Sequence, residues 1–173
     1  LLDIPEFSRS IQLIGLENLE ILNKSKVAIF GLGGVGSYAL EALARIGIGN
    51  FILIDNDTVS LSNINRQLIA LHSTVGQLKV DVAKKRILDI NPKVNVQTFA
   101  QFYLPDNANN IDLSHCNYIV DCIDTVTAKV FLAENAFHQN IPIISSMGTG
   151  NKIDATKLVI TDINKTHTCP LAK

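Results

Sequence analysis

Residues 26–36 read KVAIFGLGGVG, and this stretch decides the fold class of the chain. The apolar run Lys26–Phe30 predicts a short buried strand. Glycines follow at positions 31, 33 and 36, in the G-x-G-x-x-G spacing of a turn that leads from a strand into a helix. Because glycine has no side chain, the backbone amides of such a turn can approach a phosphate at the helix start. The stretch predicts a nucleotide-binding turn, with a purely structural tight turn as the alternative.

Apolar runs and helical patterns alternate along the rest of the chain. Strands are predicted at residues 26–30, 51–54, 94–98, 117–120, 143–146 and 158–161, and helices at residues 34–46, 77–90 and 127–139. Residues 1–24 are predicted to form a leading helical segment. Strands that alternate with helices form a mostly parallel sheet with helices on both faces. We therefore predict an α/β fold with a Rossmann-like, doubly wound sheet.

The size and composition of the chain fit one globular domain. It has 173 residues, of which 47% are hydrophobic and 18% charged, and this balance excludes intrinsic disorder. We expect residues 1–173 to form a single domain that continues past Lys173 in the full-length protein. The net charge of −1 is unlike that of strongly basic nucleic-acid-binding proteins, although a local basic patch stays open.

The cysteines indicate the cellular compartment. Cys116, Cys122 and Cys169 are odd in number and lack CxxC spacing, which argues against a disulfide scaffold and against structural zinc. Unpaired cysteines favour a reducing cytoplasm. We interpret Cys122 as a core residue and Cys169 as an incidental thiol. Because no apolar run approaches the ~18–20 residues of a membrane span, we expect no membrane contact in this chain.

An acidic residue closes the second predicted strand. Asp55 follows the last glycine of the turn at about the distance at which this fold places a carboxylate on ribose hydroxyls. It is predicted to bind ribose, with a turn cap as the alternative. Asp57, two residues further on, is interpreted as a loop or capping residue.

The other polar residues near the strand ends favour ATP over NAD. The loop at residues 62–67 reads SNINRQ and supplies Asn63 and Arg66, and Lys79 opens the next helix. Asp124 ends a later strand and so faces the same crevice. Cations neutralise a triphosphate, and a carboxylate opposite them holds Mg²⁺. Solvated surface positions for Arg66 and Lys79, and a helix N-cap role for Asp124, are the alternatives.

These motifs resemble those of a known enzyme superfamily. The stretches at residues 31–36, 55–59, 62–67, 75–79 and 121–124 are similar to the ubiquitin-activating-enzyme-like adenylyltransferases. That superfamily includes the bacterial enzymes of molybdopterin and thiamine biosynthesis. Residues 44–49, 144–154 and 161–173 most resemble its branch of tRNA threonylcarbamoyladenosine dehydratases.

The resemblance implies a single ATP-binding, adenylyltransferase-like domain and a role for each matching residue. The glycine turn would hold the nucleotide through Gly31, Gly33, Gly34 and Gly36, with Asp55 on the ribose. Asn63, Arg66 and Lys79 would contact phosphates, and Asp124 would bind Mg²⁺. Arg9 matches an arginine that reaches ATP across a dimer interface in the superfamily. Arg9, Arg66, Lys79 and Asp124 are therefore the predicted catalytic residues.

The resemblance also implies an activity and partners. The enzyme would adenylate a carboxylate, the threonylcarbamoyl group of a modified tRNA adenosine. Cyclisation with loss of water, AMP and pyrophosphate would follow. Its partners would be the tRNA, a second copy of the chain in a homodimer, and a sulfur-transfer protein. The chain departs from the superfamily pattern at Thr125 and Lys129, where asparagine and arginine are common.

Other functions stay open at this point. The same adenylation chemistry could act on the C-terminus of a ubiquitin-like sulfur-carrier protein. A glycine turn followed by an acidic residue also fits an NAD-dependent oxidoreductase. A catalytically silent nucleotide-binding module is the third alternative.

Overall fold

The structure is a computed structural model that describes residues 5–150 and 152–172. Its helices are α1 (Ser8–Ile14), α2 (Leu16–Lys24), α3 (Gly36–Ile46), α4 (Lys79–Ile90) and α5 (Val126–His138). Its strands are β1 (Lys26–Phe30), β2 (Asn50–Ile54), β3 (Asn95–Phe99), β4 (Tyr118–Asp121) and β5 (Ile143–Ser145). Short 3-10 turns occur in several of the connections between these elements. The longest connection lies between β2 and α4.

The strands form one parallel sheet in the order β3-β2-β1-β4-β5. The chain moves outward from β1 to β3, then crosses back to place β4 on the other side of β1. The order therefore reverses between β1 and β4, which is where ligands bind in open α/β sheets. The predicted Rossmann-like, doubly wound α/β fold is confirmed.

Both faces of the sheet are covered, which explains why its central strands are apolar throughout. Ile29 and Leu53 pack on one face with residues of α3 and α4. Phe30 and Ile54 point to the opposite face, where they pack with α5 and with residues 103–113. Successive side chains of a strand alternate between faces, so burial of both faces demands a continuous apolar run.

The strand predicted at residues 158–161 is wrong. These residues form no ladder, and they lie between the 3-10 turns Ala155–Lys157 and Ile163–Lys165. Their side chains are exposed, with Ile160 at 90%. A run of β-branched residues favours a strand only where a neighbouring strand and a core receive it. The described residues provide neither at this position.

The leading segment is helical, as predicted, but it is broken. Gly15 separates α1 from α2 with a φ of +82°, a left-handed value that glycine adopts without strain. Phe7 and Leu19 are buried and fix the two short helices to the domain. Residues 1–4 of the predicted segment lie outside the described residues. That residues 1–173 form one domain stays a prediction.

The predicted helices at residues 34–46 and 77–90 begin two residues later than expected. Gly34 and Val35, which precede α3, belong to the wall of a cavity. Leu78, which precedes α4, instead pairs with Thr58 in an isolated β-bridge, and this extended pairing delays the first turn of the helix. Among residues 5–150 and 152–172, no helix has both the length and the hydropathy that crossing a membrane requires.

We predict that Leu132→Ala lowers the free energy of unfolding by about 2–5 kcal/mol. Leu132 is fully buried on α5 against the second face of the sheet, so truncation leaves a cavity there. Val130→Ala, on the exposed side of the same helix, is the matched control and should cost less than about 0.5 kcal/mol. Urea denaturation measures both. Equal losses would mean that α5 does not pack as described.

Candidate functional site

A cavity of about 660 Å³ opens at the carboxyl ends of the strands, beside the point where the strand order reverses. Its wall includes most of the residues predicted from the sequence: Gly31, Gly33, Gly34, Asp55, Asn63, Arg66, Lys79 and Asp124. Two predicted residues are not among the described residues that line it. Gly36 packs against Gly31 behind the wall, and Arg9 lies on α1.

The glycine turn is shaped by a very close backbone contact. Gly31 has a φ of +86°, and a Cβ added there would lie 2.8 Å from the carbonyl oxygen of Cys122. A Cβ on Gly36 would lie only 1.8 Å from the carbonyl oxygen of Gly31. Neither position accepts a side chain without moving the backbone. The contact directs the N-terminus of α3 toward the cavity, as anion binding by backbone amides requires.

Asp55 holds this turn against the end of β2. Its Oδ2 accepts a hydrogen bond from the Leu32 amide at 2.7 Å, and its Oδ1 accepts one from the Asp57 amide at 2.8 Å. An ionised carboxylate has about four acceptor sites, so two remain for other donors. Asp55 therefore caps the turn after β2, which the sequence analysis gave as the alternative role, and it also holds the glycine turn through the Leu32 amide. Its contact with ribose stays a prediction.

Lys79 is buried in the cavity wall rather than solvated. Its side chain is 5% exposed, and its Nζ donates to Asp57 Oδ2 at 2.7 Å and lies 3.9 Å from Asp55 Oδ1. A buried ammonium requires such partners because its desolvation is costly. The alternative of a surface charge is therefore wrong for Lys79. Asp57, interpreted from the sequence as a loop residue, is its direct partner and lines the cavity.

Arg66 and Asn63 lie on the loop between β2 and α4. Arg66 is exposed, and its Nη1 donates to the carbonyl oxygen of Ser62 at 2.8 Å and to Asn65 Oδ1 at 3.0 Å. The buried Asn63 accepts a hydrogen bond from the Ser60 amide at 3.0 Å, which closes the turn that carries Arg66. Arg66 thus combines a surface position with a place in the cavity wall.

Gln67 is a cavity residue that was not predicted as a site residue. It is buried, and within residues 5–150 and 152–172 its Oε1 has no hydrogen-bond partner. A buried, unpaired amide oxygen is uncommon and costs free energy. Its position in the donor-rich stretch 62–67 was the signal available in the sequence, but a glutamine gives no sign of burial.

Asp124 is exposed in the loop between β4 and α5 and lines the cavity. The N-cap residue of α5 is Thr125, and it forms no side-chain capping hydrogen bond. The capping alternative for Asp124 is therefore not observed. Asp124 does not cap α5, and it lines the same cavity as Arg66 and Lys79.

Arg9 lies outside the cavity of its own chain. It is exposed on α1, where its Nη1 donates to Gln12 Oε1 at 3.2 Å. The sequence predicted that Arg9 acts on a second subunit, so its position here neither supports nor contradicts that role.

The thiols differ in reactivity for physical reasons. Burial raises the pKa of Cys122, which lines the cavity, to about 12, and burial raises that of Cys116 to about 11. These two thiols stay protonated near neutral pH and are poor nucleophiles. The Cys169 Sγ accepts a hydrogen bond from the Gly148 amide at 3.3 Å, which lowers its pKa. All three cysteines are free.

The cavity wall combines charged residues with apolar ones. Arg66, Lys79, Asp57 and Asp124 supply charge, while Phe30, Ile54, Phe102 and Tyr103 supply apolar and aromatic surface. A glycine turn, two cations and an exposed carboxylate around one space can hold a polyphosphate. Of these aromatic side chains, Phe30 and Tyr103 are buried and pack against each other, and Phe102 is exposed.

Two relatives of known name resemble nearly the whole chain. The tRNA threonylcarbamoyladenosine dehydratase of Bacillus subtilis is 49% identical over 170 residues, which are 98% of this chain and 67% of the relative. The enzyme of the same name from Escherichia coli is 39% identical over 166 residues, which are 96% of this chain and 62% of the relative. The chain thus spans about three fifths to two thirds of the length of these proteins.

Solved structures support the same relationship. A crystal structure of E. coli tRNA N6-threonylcarbamoyladenosine dehydratase, TcdA, in complex with AMP matches with a TM-score of 0.94 and 39% identity. It covers 97% of this chain and 68% of the solved chain. The complex of that enzyme with ATP matches with a TM-score of 0.91 and 38% identity, over 97% and 69% of the two chains.

The family assignment rests on the chain as a whole and not on single motifs. Residues 7–172 match the ThiF family, and the relatives above agree with that match in sequence and in fold. The resemblance drawn from the glycine turn and the polar loops is thereby confirmed. The chain belongs to the ThiF family.

Proposed function

We propose that this chain is the ATP-binding part of a tRNA threonylcarbamoyladenosine dehydratase. It would adenylate the carboxylate of the threonylcarbamoyl group on a tRNA adenosine, which then cyclises with release of AMP and pyrophosphate. The observation that carries the proposal is the 49% identity, over 98% of this chain, to the B. subtilis protein of that name. The E. coli relative has been solved with both AMP and ATP, the product and the substrate of an adenylation.

The cavity suits transfer of an adenylyl group. A carboxylate oxygen would attack the α-phosphorus of ATP in line, and the bond to pyrophosphate would break. This step needs little acid or base chemistry but much positioning and neutralisation of negative charge. Lys79 and Arg66 would supply positive charge, and the amides of the glycine turn would hold phosphate oxygens. Attack of an internal nucleophile on the acyl adenylate would then expel AMP and close the ring.

Lys79 is suited to accept phosphates because its present partner is accessible. Asp57 is 57% exposed, so the ion pair borders water, and an incoming phosphate can share the ammonium without leaving a buried carboxylate unpaired. The pair holds Lys79 Nζ in place in the cavity wall before ATP arrives. Such preorganisation reduces the free-energy cost of ordering the site on binding.

The residues of the cavity fit a magnesium ion. Mg²⁺ is usually bound by one or two carboxylates together with substrate phosphates and waters, not by a cage of protein ligands. Asp124 is an exposed carboxylate facing the proposed phosphate position. In the part of the chain that the structure describes, no group of three or more His, Cys, Asp or Glu is arranged to hold a metal ion. When bound, Mg²⁺ would neutralise phosphate charge.

The expected partners belong to the same proposal. The acyl acceptor would be carried on tRNA, a homodimer would bring Arg9 of one subunit to the cavity of the other, and a sulfur-transfer protein would be a further partner. The exposed position of Arg9 leaves its guanidinium available for such a contact. The cytoplasm is the proposed compartment, since free cysteines are typical of reducing conditions.

Adenylation of a ubiquitin-like sulfur carrier is the second candidate. A relative named adenylyltransferase and sulfurtransferase UBA4, from Vanderwaltozyma polyspora, is 38% identical over 138 residues, or 80% of this chain. The similarity is lower and shorter than that to the dehydratases, so this candidate is not favoured. An NAD-dependent oxidoreductase has no support from these relatives.

We predict that ATP, and not NAD, protects the chain against thermal unfolding. At about 100 times its Kd, ATP should add ~2.7 kcal/mol of stability, which corresponds to a rise in Tm of about 5–10 °C. Lys79→Met should remove most of this rise, because the variant loses the buried ammonium that meets the phosphates. Lys85→Met, an exposed position on the same helix, is the matched control. Differential scanning fluorimetry measures the shifts, and equal protection by NAD would contradict the proposal.

We predict that Asp124→Asn reduces ATP–pyrophosphate exchange by about 100-fold, because the amide cannot hold the cation that neutralises the phosphates. Exchange is measured with tRNA carrying threonylcarbamoyladenosine and, in a parallel arm, with a ubiquitin-like sulfur-carrier protein. Asp106→Asn, an exposed loop residue outside the cavity wall, is the control and should exchange normally. If only the carrier protein supports exchange, the carrier protein and not the tRNA is the substrate. If Asp124→Asn keeps full activity, Asp124 does not bind the cation.

A further inference from the structure

A second aspartate–lysine pair lies behind the cavity and is sealed from water. Lys129 Nζ on α5 donates to Asp121 Oδ2 at the end of β4, at 2.6 Å. The Asp121 side chain is 0% exposed and that of Lys129 is 6% exposed. Neither residue belongs to the cavity wall, so neither can touch a ligand there directly.

The pair joins the two loops that form one side of the cavity. Asp121 Oδ1 accepts a hydrogen bond from the Ile123 amide at 3.0 Å, at the start of the loop that carries Asp124. Lys129 Nζ also donates to the carbonyl oxygen of Ser146 at 3.0 Å, at the start of the segment that continues to Thr149 and Gly150. The Ser146 amide in turn donates to the carbonyl oxygen of Asp121 at 2.8 Å.

Stability alone does not account for this arrangement. A buried ion pair loses much of its Coulomb energy to desolvation, and apolar residues of similar volume often serve folding equally well. An apolar pair, however, could not bond to the Ile123 amide and the Ser146 carbonyl. The polar connections fix one loop relative to the other, and they require a hydrogen-bond acceptor at position 121 and a donor at position 129.

We infer that Lys129 is a positioning residue, which acts through Asp121 and Ser146 to hold the Asp124 loop and the 147–150 segment in register around the bound nucleotide. The inference rests on the proposed function only in taking ATP as the ligand of the cavity. A lysine suits the task because one Nζ with three donors reaches two acceptors on different loops. An arginine, common at this position in the resembled superfamily, could bridge the same acceptors.

The test separates positioning from stability by removing both charges together. In Asp121→Leu/Lys129→Met no charge stays buried and unpaired, and the bonds to the Ile123 amide and the Ser146 carbonyl are both lost. The double variant should therefore fold without the connection between the loops, whereas Lys129→Met alone leaves a buried carboxylate. Lys129→Arg is the rescue variant. Arg86→Met, which breaks the partly exposed pair with Glu41 on the other face of the sheet, is the control for loss of an ion pair.

Hydrogen exchange followed by mass spectrometry gives a readout that needs no substrate. In the double variant, peptides that cover residues 122–125 and 146–150 should exchange about tenfold faster, while those of β1 and β2 stay unchanged. Lys129→Arg and Arg86→Met should match the wild type in both loops. A merely structural role would accelerate exchange throughout the chain, and unchanged exchange in the two loops would overturn the inference.

Kinetics supply the second readout. Misplacement of Asp124 by about 1 Å should lower kcat of pyrophosphate exchange by about 100-fold while KM for ATP changes less than about threefold. Lys129→Arg should recover most of kcat. A double variant with wild-type kcat would overturn the inference. The proposed function fails if ATP slows hydrogen exchange in the loops of the wild type but no acyl acceptor supports pyrophosphate exchange. In that case hydrogen exchange of the ATP-bound variants still decides the role of Lys129.

Discussion

The contact between Gly36 and the carbonyl of Gly31 is the constraint on which the rest of the site depends. With no Cβ at either position, α3 can begin immediately behind β1 and present its N-terminus to the cavity. The same approach places the turn within reach of Asp55, whose carboxylate then binds the Leu32 amide from the neighbouring strand. A side chain at Gly36 would displace the helix and with it this wall of the cavity.

Burial of both sheet faces forces the polar chemistry to the carboxyl edge. The central strands β1 and β2 are buried and apolar at every position after their first, so charged residues find room only where these strands end. Asp55 and Asp57 follow β2, and Asp121 and Asp124 close or follow β4. These strands flank β1 on opposite sides, so Asp124 lines the crevice on one side of β1 and Asp55 and Asp57 line it on the other. The position of the site is therefore a consequence of topology, and the identity of the side chains determines its chemistry.

The sequence predicted the elements that depend on local pattern. Strand β1 and the glycine turn follow from apolar runs and residue spacing, and the superfamily resemblance supplied the candidate residues of the cavity wall. The strand predicted at residues 158–161 is not formed, because a β-branched pattern does not show whether a partner strand is present. The sequence did not reveal that Asp57 and Gln67 line the cavity, or that Lys129 is bonded to Asp121 and Ser146. A charged or amide residue gives no sign of burial in the sequence, because its partner is brought close only by folding. Contacts across sequence separations such as that between Asp57 and Lys79 are set by tertiary structure alone.

The two aspartate–lysine pairs differ in a way that separates binding from positioning. Asp57 is largely exposed, so water and phosphate oxygens can compete for Lys79, and the pair can open at low cost when a polyanion enters. The carboxylate of Asp121 is fully buried, so separating it from Lys129 would strand a charge in the interior at a cost of several kcal/mol. The first pair is therefore suited to exchange partners during a catalytic cycle. The second is suited to remain closed while the loops on either side of it hold the ligand.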